Sequence, residues 1–271
     1  MLLTELERFI EEDMGNNDVS CEIIPDCSVR GVVVSNEEGI VAGLPEATQV
    51  FEYFETFAST DLTDGSAVKK DDVIFTLEGG ARSILRAERL ALNFLGKMSG
   101  IATLTRRYVD RADGARIACT RKTTPGFRKF EKKAVIAAGG DPHRFNLSDS
   151  VMIKDNHIAV MGLEKTVKNA QQSKSFTQKI EVEVEDAESA VRAAGMGVDI
   201  IMFDNMSVDE IKNSIKILNE KNLRKNVILE ASGGISLQDV GDYSKTGIDV
   251  ISIGALTHSS NWLDVSLKLS M

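Results

Sequence analysis

A chain of 271 residues with 42% apolar and 27% charged composition is long enough for one large domain, or a large domain with a small companion, and too apolar for disorder to be its main state. Its formal net charge of -9 excludes general binding to nucleic acid or to an anionic membrane surface, both of which need a basic field across the whole chain. Any anionic ligand has to be met by a local cluster of cations.

The N-terminus, MLLTELERFIEED, predicts an acidic amphipathic helix over Met1 to Asp13, without the basic n-region and apolar core of a signal peptide. No later run approaches the roughly 20 apolar residues of a membrane span, so a cytoplasmic protein is expected. Cys21, Cys27 and Cys119, with only three histidines in the chain, are too few and too scattered for a disulfide framework or a zinc site and read as free thiols.

From Val19 to Leu77, short apolar runs such as RGVVVS, EGIVAG and DDVIFTLEGG alternate with turn residues, which predicts an antiparallel β region. Within it, DGSAVKKDDVIFTLEGGARSIL has the rhythm of a small β-sandwich, somewhat like a lipoyl-type domain without the modifiable lysine. From Ser83 to about Val109 the period becomes helical, with Ile84, Ala87, Ala91, Leu95 and Met98 on one face. That stretch predicts a long connecting helix.

Beyond it, strand candidates ARIACT, SVMIK, KIEVEV, DIIMFDN, NVILEAS and DVISIGA alternate with helical stretches, the signature of parallel strands joined by crossover helices. A doubly wound sheet would show a Gly-rich fingerprint after its first strand, and none is present. Instead the strands end in polar residues: Arg121 and Lys122, Lys154, Glu183 and Glu185, Asp204 and Asn205, Glu230 and Ser232. Barrel enzymes build their sites from such ends, which favours an α/β barrel. Six strands instead of eight make it an incomplete one.

The loop TRKTTPGFR directly follows the strand ARIAC and offers guanidinium, ammonium and hydroxyl donors to an anion. Between Ala115 and His157 there are nine Lys or Arg (Arg116, Arg121, Lys122, Arg128, Lys129, Lys132, Lys133, Arg144, Lys154) against four acids (Glu131, Asp141, Asp149, Asp155). A positive field inside an acidic chain suits a polyanionic small molecule. Lys129, Lys132 and Lys133 read as solvating the outer face of a helix, leaving Arg121, Lys122, His143, Arg144 and Lys154 as the site candidates.

Glu181, Glu183 and Glu185 alternate with valines and so project to one side of a strand. Facing into a barrel they suit stabilisation of a cation or coordination of Mg2+; an exposed edge strand gives the same alternation. Asp204 ends the next strand, where an aspartate also serves as a turn or helix cap. Ser232, Gly233 and Gly234, and Gly254 after the last strand, form two glycine-bearing loops of the kind that let backbone N-H groups approach a phosphate.

These segments resemble the family of nicotinate-nucleotide pyrophosphorylase (carboxylating), also called quinolinate phosphoribosyltransferase. The likeness runs in order through AERLALNFLGKMSGIATLTRRYVD, TRKTTPGFRKFEKKAV, GGDPHRFNLSDSVMIKDNHI, EVEVE, FDN, LEASGGIS and IGALTH, from Glu5 to Asp264. It implies an N-terminal α/β sandwich over 1–105, with a C-terminal helix at 260–271 packed on it, and an open, incomplete α/β barrel over 106–259. It further implies a type II phosphoribosyltransferase of de novo NAD biosynthesis that converts quinolinate and phosphoribosyl pyrophosphate (PRPP) to nicotinate mononucleotide, pyrophosphate and carbon dioxide, with Mg2+ as cofactor. The family likeness also implies a homodimer with shared sites, and leaves hexamers open.

Carried over by motif, Arg121, His143, Arg144 and Lys154, with Arg89 from the partner subunit, bind the two carboxylates of quinolinate. Lys122 meets the pyrophosphate, Glu183 and Asp204 the ribose and Mg2+, and Ser232, Gly233, Gly234 and Gly254 the 5-phosphate. Two departures bear on loop geometry: GNNDVS stands where the family has GxGDxT, and EASGG where it commonly has ESSGG. Four other readings compete: a paralogue associated with molybdenum transport, which as a group departs from the TTPG and KDNH patterns kept here; nicotinate phosphoribosyltransferase, whose one-carboxylate substrate does not need this many cations; a Schiff-base aldolase using Lys154 or Lys122; and a silent anion-binding scaffold.

Overall fold

The computed structural model describes residues 1–25 and 27–270. They form two compact units, one made of Met1–Arg106, Lys133–Gly139 and Ser260–Met271, the other of Arg107–Lys132 and Gly140–Ser259.

In the first unit, α1 (Leu3–Met14) buries Leu6 and Ile10, four residues apart, and the Glu5 carboxylate accepts from the Leu2 N-H at 2.9 Å. The GNNDVS segment leads into a short helix, α2 (Val19–Glu22), capped by the Asp18 carboxylate, which accepts from the Ser20 and Cys21 amides. The strands are β1 (Ser28–Ser35), β2 (Gly39–Ile40), β3 (Phe57–Ser59), β4 (Ala67–Val68) and β5 (Val73–Gly80), with β12 (Val265–Ser270) at the far end of the chain. They make a four-stranded antiparallel sheet in the order β12-β1-β5-β3 and a separate β2-β4 pair.

Three expectations are corrected here. Leu44–Tyr53 is a helix, α3, inside the predicted β region: Pro45 occupies its first turn, where a missing N-H costs nothing, and Leu44, Ala47, Val50 and Phe51 are buried at helical spacing. The stretch read as a small sandwich is not self-contained, because β4 pairs with β2 while β5 pairs with β1 and β3. The C-terminal segment is the strand β12, paired antiparallel with β1 from Val265↔Ser35 to Ser270↔Arg30, and not a helix. Its residues Val265, Leu267 and Leu269 alternate with Ser266, Lys268 and Ser270, a period of two that a helix cannot use. The long helix α4 (Ala81–Val109) forms as expected, with Ile84, Ala87, Ala91, Leu95 and Met98 fully buried.

The second unit holds all six expected strands, β6 (Arg116–Ala118), β7 (Val151–Ile153), β8 (Ile180–Val184), β9 (Ile200–Asp204), β10 (Ile228–Ser232) and β11 (Val250–Ser252). They pair in parallel in the order β6-β11-β10-β9-β8-β7. The crossovers carry α5 (Arg128–Ala137), whose residues from Lys133 onward belong to the first unit, α6 (Asp155–Met161), α7 (Leu163–Ser173), α8 (Ala187–Gly195), α9 (Val208–Glu220) and α10 (Val240–Ser244), and α11 (Ala255–His258) follows β11. Val182, Ile201, Phe203, Leu229, Ala231 and Ile251 are buried on these strands. On the free edge of β6 the chain returns at Asp141, whose N-H donates to Ile117 O at 2.8 Å while its carbonyl accepts from Cys119 N-H at 3.0 Å. Because every strand runs the same way, residues after their C-terminal ends gather at one edge of the sheet.

Candidate active site

The loop after β6 is held from beneath. The fully buried Glu131 of α5 accepts from the Thr124 N-H at 3.1 Å and hydroxyl at 2.9 Å, and Thr257 of α11 donates its hydroxyl to Lys122 O at 2.8 Å and Gly254 O at 3.1 Å. Lys122 itself is exposed, and its Cδ lies 3.3 Å from where a side chain at Gly254 would begin. Arg121 is half-buried, and its Nε is buried without a hydrogen-bond partner. A solvated surface loop would not leave a guanidinium nitrogen in that condition.

The Arg144 guanidinium lies within reach of the Arg121 charge. Burial first, and then the Arg121 charge, hold the Arg144 pKa below its ordinary value, while Glu181 and Glu183 act in the opposite sense. Two cations so placed favour an anion between them.

His143 adopts a left-handed φ of 52°, uncommon for a non-glycine residue. Its Nδ1 accepts from the Arg144 N-H at 2.8 Å, so the proton sits on Nε2, which donates to Glu230 Oε2 at 3.3 Å. Glu181 Oε2 is 3.8 Å from the same nitrogen. Burial, with the Glu230 charge next, pushes the Glu181 carboxyl up to about 8.

Among the described residues, His143, Glu181 and Glu230 form a group with metal-ligand composition, their ligand atoms within 4.8 Å of one another. The hydrogen bonding opposes that use. Ligation through Nε2 needs the ring proton on Nδ1, and there the Arg144 N-H already points. The Glu230 carboxylate holds the ring, and the ring holds the Arg144 backbone.

At the ends of β7, β8 and β9 a cleft of about 560 Å³ is lined by Lys154, Glu183 and Asp204, together with Asp155, Glu185, Asp186 and Arg192. Lys154 makes a salt bridge to Glu183, and its N-H donates to His157 Nδ1 at 3.0 Å, which starts α6. Asp204 is fixed by its neighbour: the Asn205 amide donates to Asp204 Oδ2 at 3.0 Å. Asn205 has φ 54°, and its own N-H donates to Ser232 O at 2.9 Å. Gly233, with φ 101°, lies against Asn205, and Gly234 follows at φ 59°.

The sequence-derived candidates Arg121, Lys122, His143, Arg144, Lys154, Glu183, Asp204, Ser232, Gly233, Gly234 and Gly254 all belong to the second unit. Arg89 is exposed on α4 in the first unit. The three alternating glutamates do not share one fate: Glu181 is fully buried, Glu183 half-buried, and Glu185 exposed beyond the strand. Lys132 does not solvate a helix face; it is fully buried, whereas Lys133 pairs with Glu46 at 2.8 Å. Glu131 and Lys132 were missed as site supports. A signal existed: Val135, one turn along α5 from both, shows that their side of the helix is not wholly polar.

Comparison with known proteins follows the same lines. The chain matches family models described as "Quinolinate phosphoribosyl transferase, C-terminal domain" over residues 101–268 and "Quinolinate phosphoribosyl transferase, N-terminal domain" over 18–99. A probable nicotinate-nucleotide pyrophosphorylase [carboxylating] of Methanothermobacter thermautotrophicus is 46% identical over 271 residues, covering 97% of each chain. The human nicotinate-nucleotide pyrophosphorylase [carboxylating] is 40% identical over 236 residues, 85% of this chain and 79% of that one. The crystal structure of NadC from Streptococcus pyogenes superposes with a TM-score of 0.92 at 38% identity, covering 98% of this chain and 95% of that chain.

Proposed function

The chain belongs to the quinolinate phosphoribosyltransferase family, and from that premise we propose that the edge formed by the C-terminal ends of β6 to β11 is the site at which quinolinate meets PRPP. The family activity is that of a pentosyltransferase of NAD biosynthesis, the carboxylating nicotinate-nucleotide pyrophosphorylase. The observation that carries the siting is the pair Arg121 and Arg144, with the Arg121 Nε buried and unpartnered and its charge close enough to act on the Arg144 guanidinium. A dicarboxylate supplies the missing acceptors.

In this reading Arg121, Arg144 and Lys154 bind the two carboxylates, with Arg89 of a second copy completing the set in a homodimer. His143, both of whose ring nitrogens are engaged, orients Arg144. Lys122 faces the pyrophosphate, and Ser232, Gly233, Gly234 and Gly254 take the 5-phosphate on backbone N-H groups. The pairing of β6 with β11 and the unpaired side of β7 support a barrel opened between its first two strands, and its cytoplasmic setting belongs to the same proposal.

The carboxylates Glu183 and Asp204 suit Mg2+, since they offer only oxygen, the donor hard cations prefer, in a cleft with room for a hydrated ion and substrate phosphates. When bound, the ion neutralises charge on the pyrophosphate oxygens.

As the bond from ribose C1 to pyrophosphate oxygen breaks, its electron pair leaves with pyrophosphate and positive charge grows on the sugar. Glu183 and Asp204, held on neighbouring strands, stabilise that charge, while Lys122 stabilises the departing anion. The pyridine nitrogen then bonds to C1 and the ring becomes cationic. Its C2 carboxylate departs as carbon dioxide, leaving its bonding pair on the ring carbon, which takes up a proton.

The test is incubation of the purified protein with quinolinate, PRPP and Mg2+, with nicotinate in parallel. Equal yields of nicotinate mononucleotide and carbon dioxide from quinolinate are expected. Turnover of nicotinate alone, or of neither, overturns the reading.

A further inference from the structure

Lys132 has no place in the chemistry above, yet its ammonium is fully buried. Burying a charge is unfavourable unless each of its N-H groups finds an acceptor. Nζ donates to Thr120 O at 3.3 Å and to Pro142 O, and approaches Cys119 Sγ at 3.4 Å. The Phe145 ring covers it, 5.4 Å from Nζ to the centroid. Burial lowers its pKa, as such surroundings require.

The two carbonyls identify the purpose. Thr120 O belongs to the peptide unit directly before Arg121, and Pro142 O to the one directly before His143 and Arg144. Both lie past the paired part of β6, and besides Lys132 Pro142 O accepts only from the Cys119 thiol, at 3.2 Å, among the described residues. One ammonium on α5 therefore fastens the two loops to each other at the points where the cationic side chains leave the backbone.

The geometry points to Lys132 as a positioning residue, which sets the spacing of Arg121 and Arg144 and so selects a rigid dianion over other ligands. This rests on the siting of quinolinate proposed above. An apolar side chain of similar length would fill the slot but fasten nothing.

The experiment compares wild type with Lys132→Met and Lys132→Gln by amide hydrogen exchange and by steady-state kinetics with quinolinate and PRPP. In Lys132→Met, exchange in segments 119–126 and 141–148 is expected to accelerate at least tenfold while the other strands of the second unit are unchanged. The KM for quinolinate is expected to rise at least tenfold and that for PRPP less than threefold, with Lys132→Gln intermediate. Unchanged exchange in the two loops overturns the proposal, as does an equal rise of both KM values or failure of both variants to fold, which would make Lys132 a general core residue. If the loops loosen but wild type does not turn over quinolinate, the clamp stands and the fault lies with the functional reading.

Discussion

Substitution of Gly233 by alanine tests the glycine loop after β10. At φ 101° an L-residue is strained wherever it is placed, at a cost of about 1–3 kcal/mol. The new Cβ also lands 2.3 Å from Asn205 Oδ1 and 2.8 Å from Asn205 N. The side chain of Asn205 can swing aside only by giving up its hydrogen bond to Asp204, and its backbone N is tied to Ser232 O. One further charged hydrogen bond lost adds about 1.5 kcal/mol, so the loop is displaced by an energy of about 2.5–4.5 kcal/mol. At about 1.4 kcal/mol per decade, kcat/KM for PRPP is expected to fall on the order of 100- to 1000-fold. Gly234→Ala is the control: φ is 59° and nothing lies within 4 Å of its Cβ, so the fall stays within about 30-fold, the cost of about 1–2 kcal/mol for one left-handed residue. The assay is kcat/KM for PRPP at saturating quinolinate and the reverse. Equal losses in the two variants, or a loss expressed in the KM for quinolinate alone, refute the reasoning.

Lys154→Met removes an ion pair whose lysine is 44% exposed, so thermal stability moves by no more than about 1 kcal/mol, while kcat/KM for quinolinate falls about 10- to 150-fold through the lost charged contact; activity within threefold of wild type contradicts the assignment. Because burial lifts Glu181 from 4.5 to about 8, its contribution to stability is full below about pH 4.5 and is lost as pH rises through about 8, on the order of a few kcal/mol. Glu181→Gln, neutral at every pH, flattens that decline in urea midpoints taken from pH 5 to 9; parallel slopes in both proteins reject the buried neutral acid. Gly100→Ala places a Cβ 1.9 Å from Asn261 O and 2.9 Å from Trp262 Cα, backbone that cannot step aside, and costs about 3 kcal/mol or more. Thermal unfolding is expected to drop by roughly 6–12 °C, and a drop under 2 °C denies the close packing.

The parallel strands and α4 were readable because each carries its periodicity over its whole length. Helix α3 was not: ten residues opened by a proline among short apolar runs look like one more turn. β12 was misread because the family outline outweighed the alternation in VSLKLS. At the site, strand ends were readable and depth was not. Glu181 and Glu183 share a face by spacing, yet one is fully buried and the other half-buried, because periodicity gives the direction of a side chain and says nothing of how far along the strand the solvent reaches. Lys132 was missed for a related reason: charge on a helix suggests water, and only the return of the chain at Pro142 reveals its acceptors.

The pairing of β12 with β1 bears on how the molecule is made. β1 lies between β5, a near neighbour in sequence, and β12, which comes only after the entire second unit has been synthesised. On the ribosome the early sheet therefore waits with one edge of β1 bare, and long-range pairing of this kind forms slowly and exposes strand edges to other chains. Nascent copies crowded on one messenger would be the population at risk, and the late arrival of six residues is what ends it.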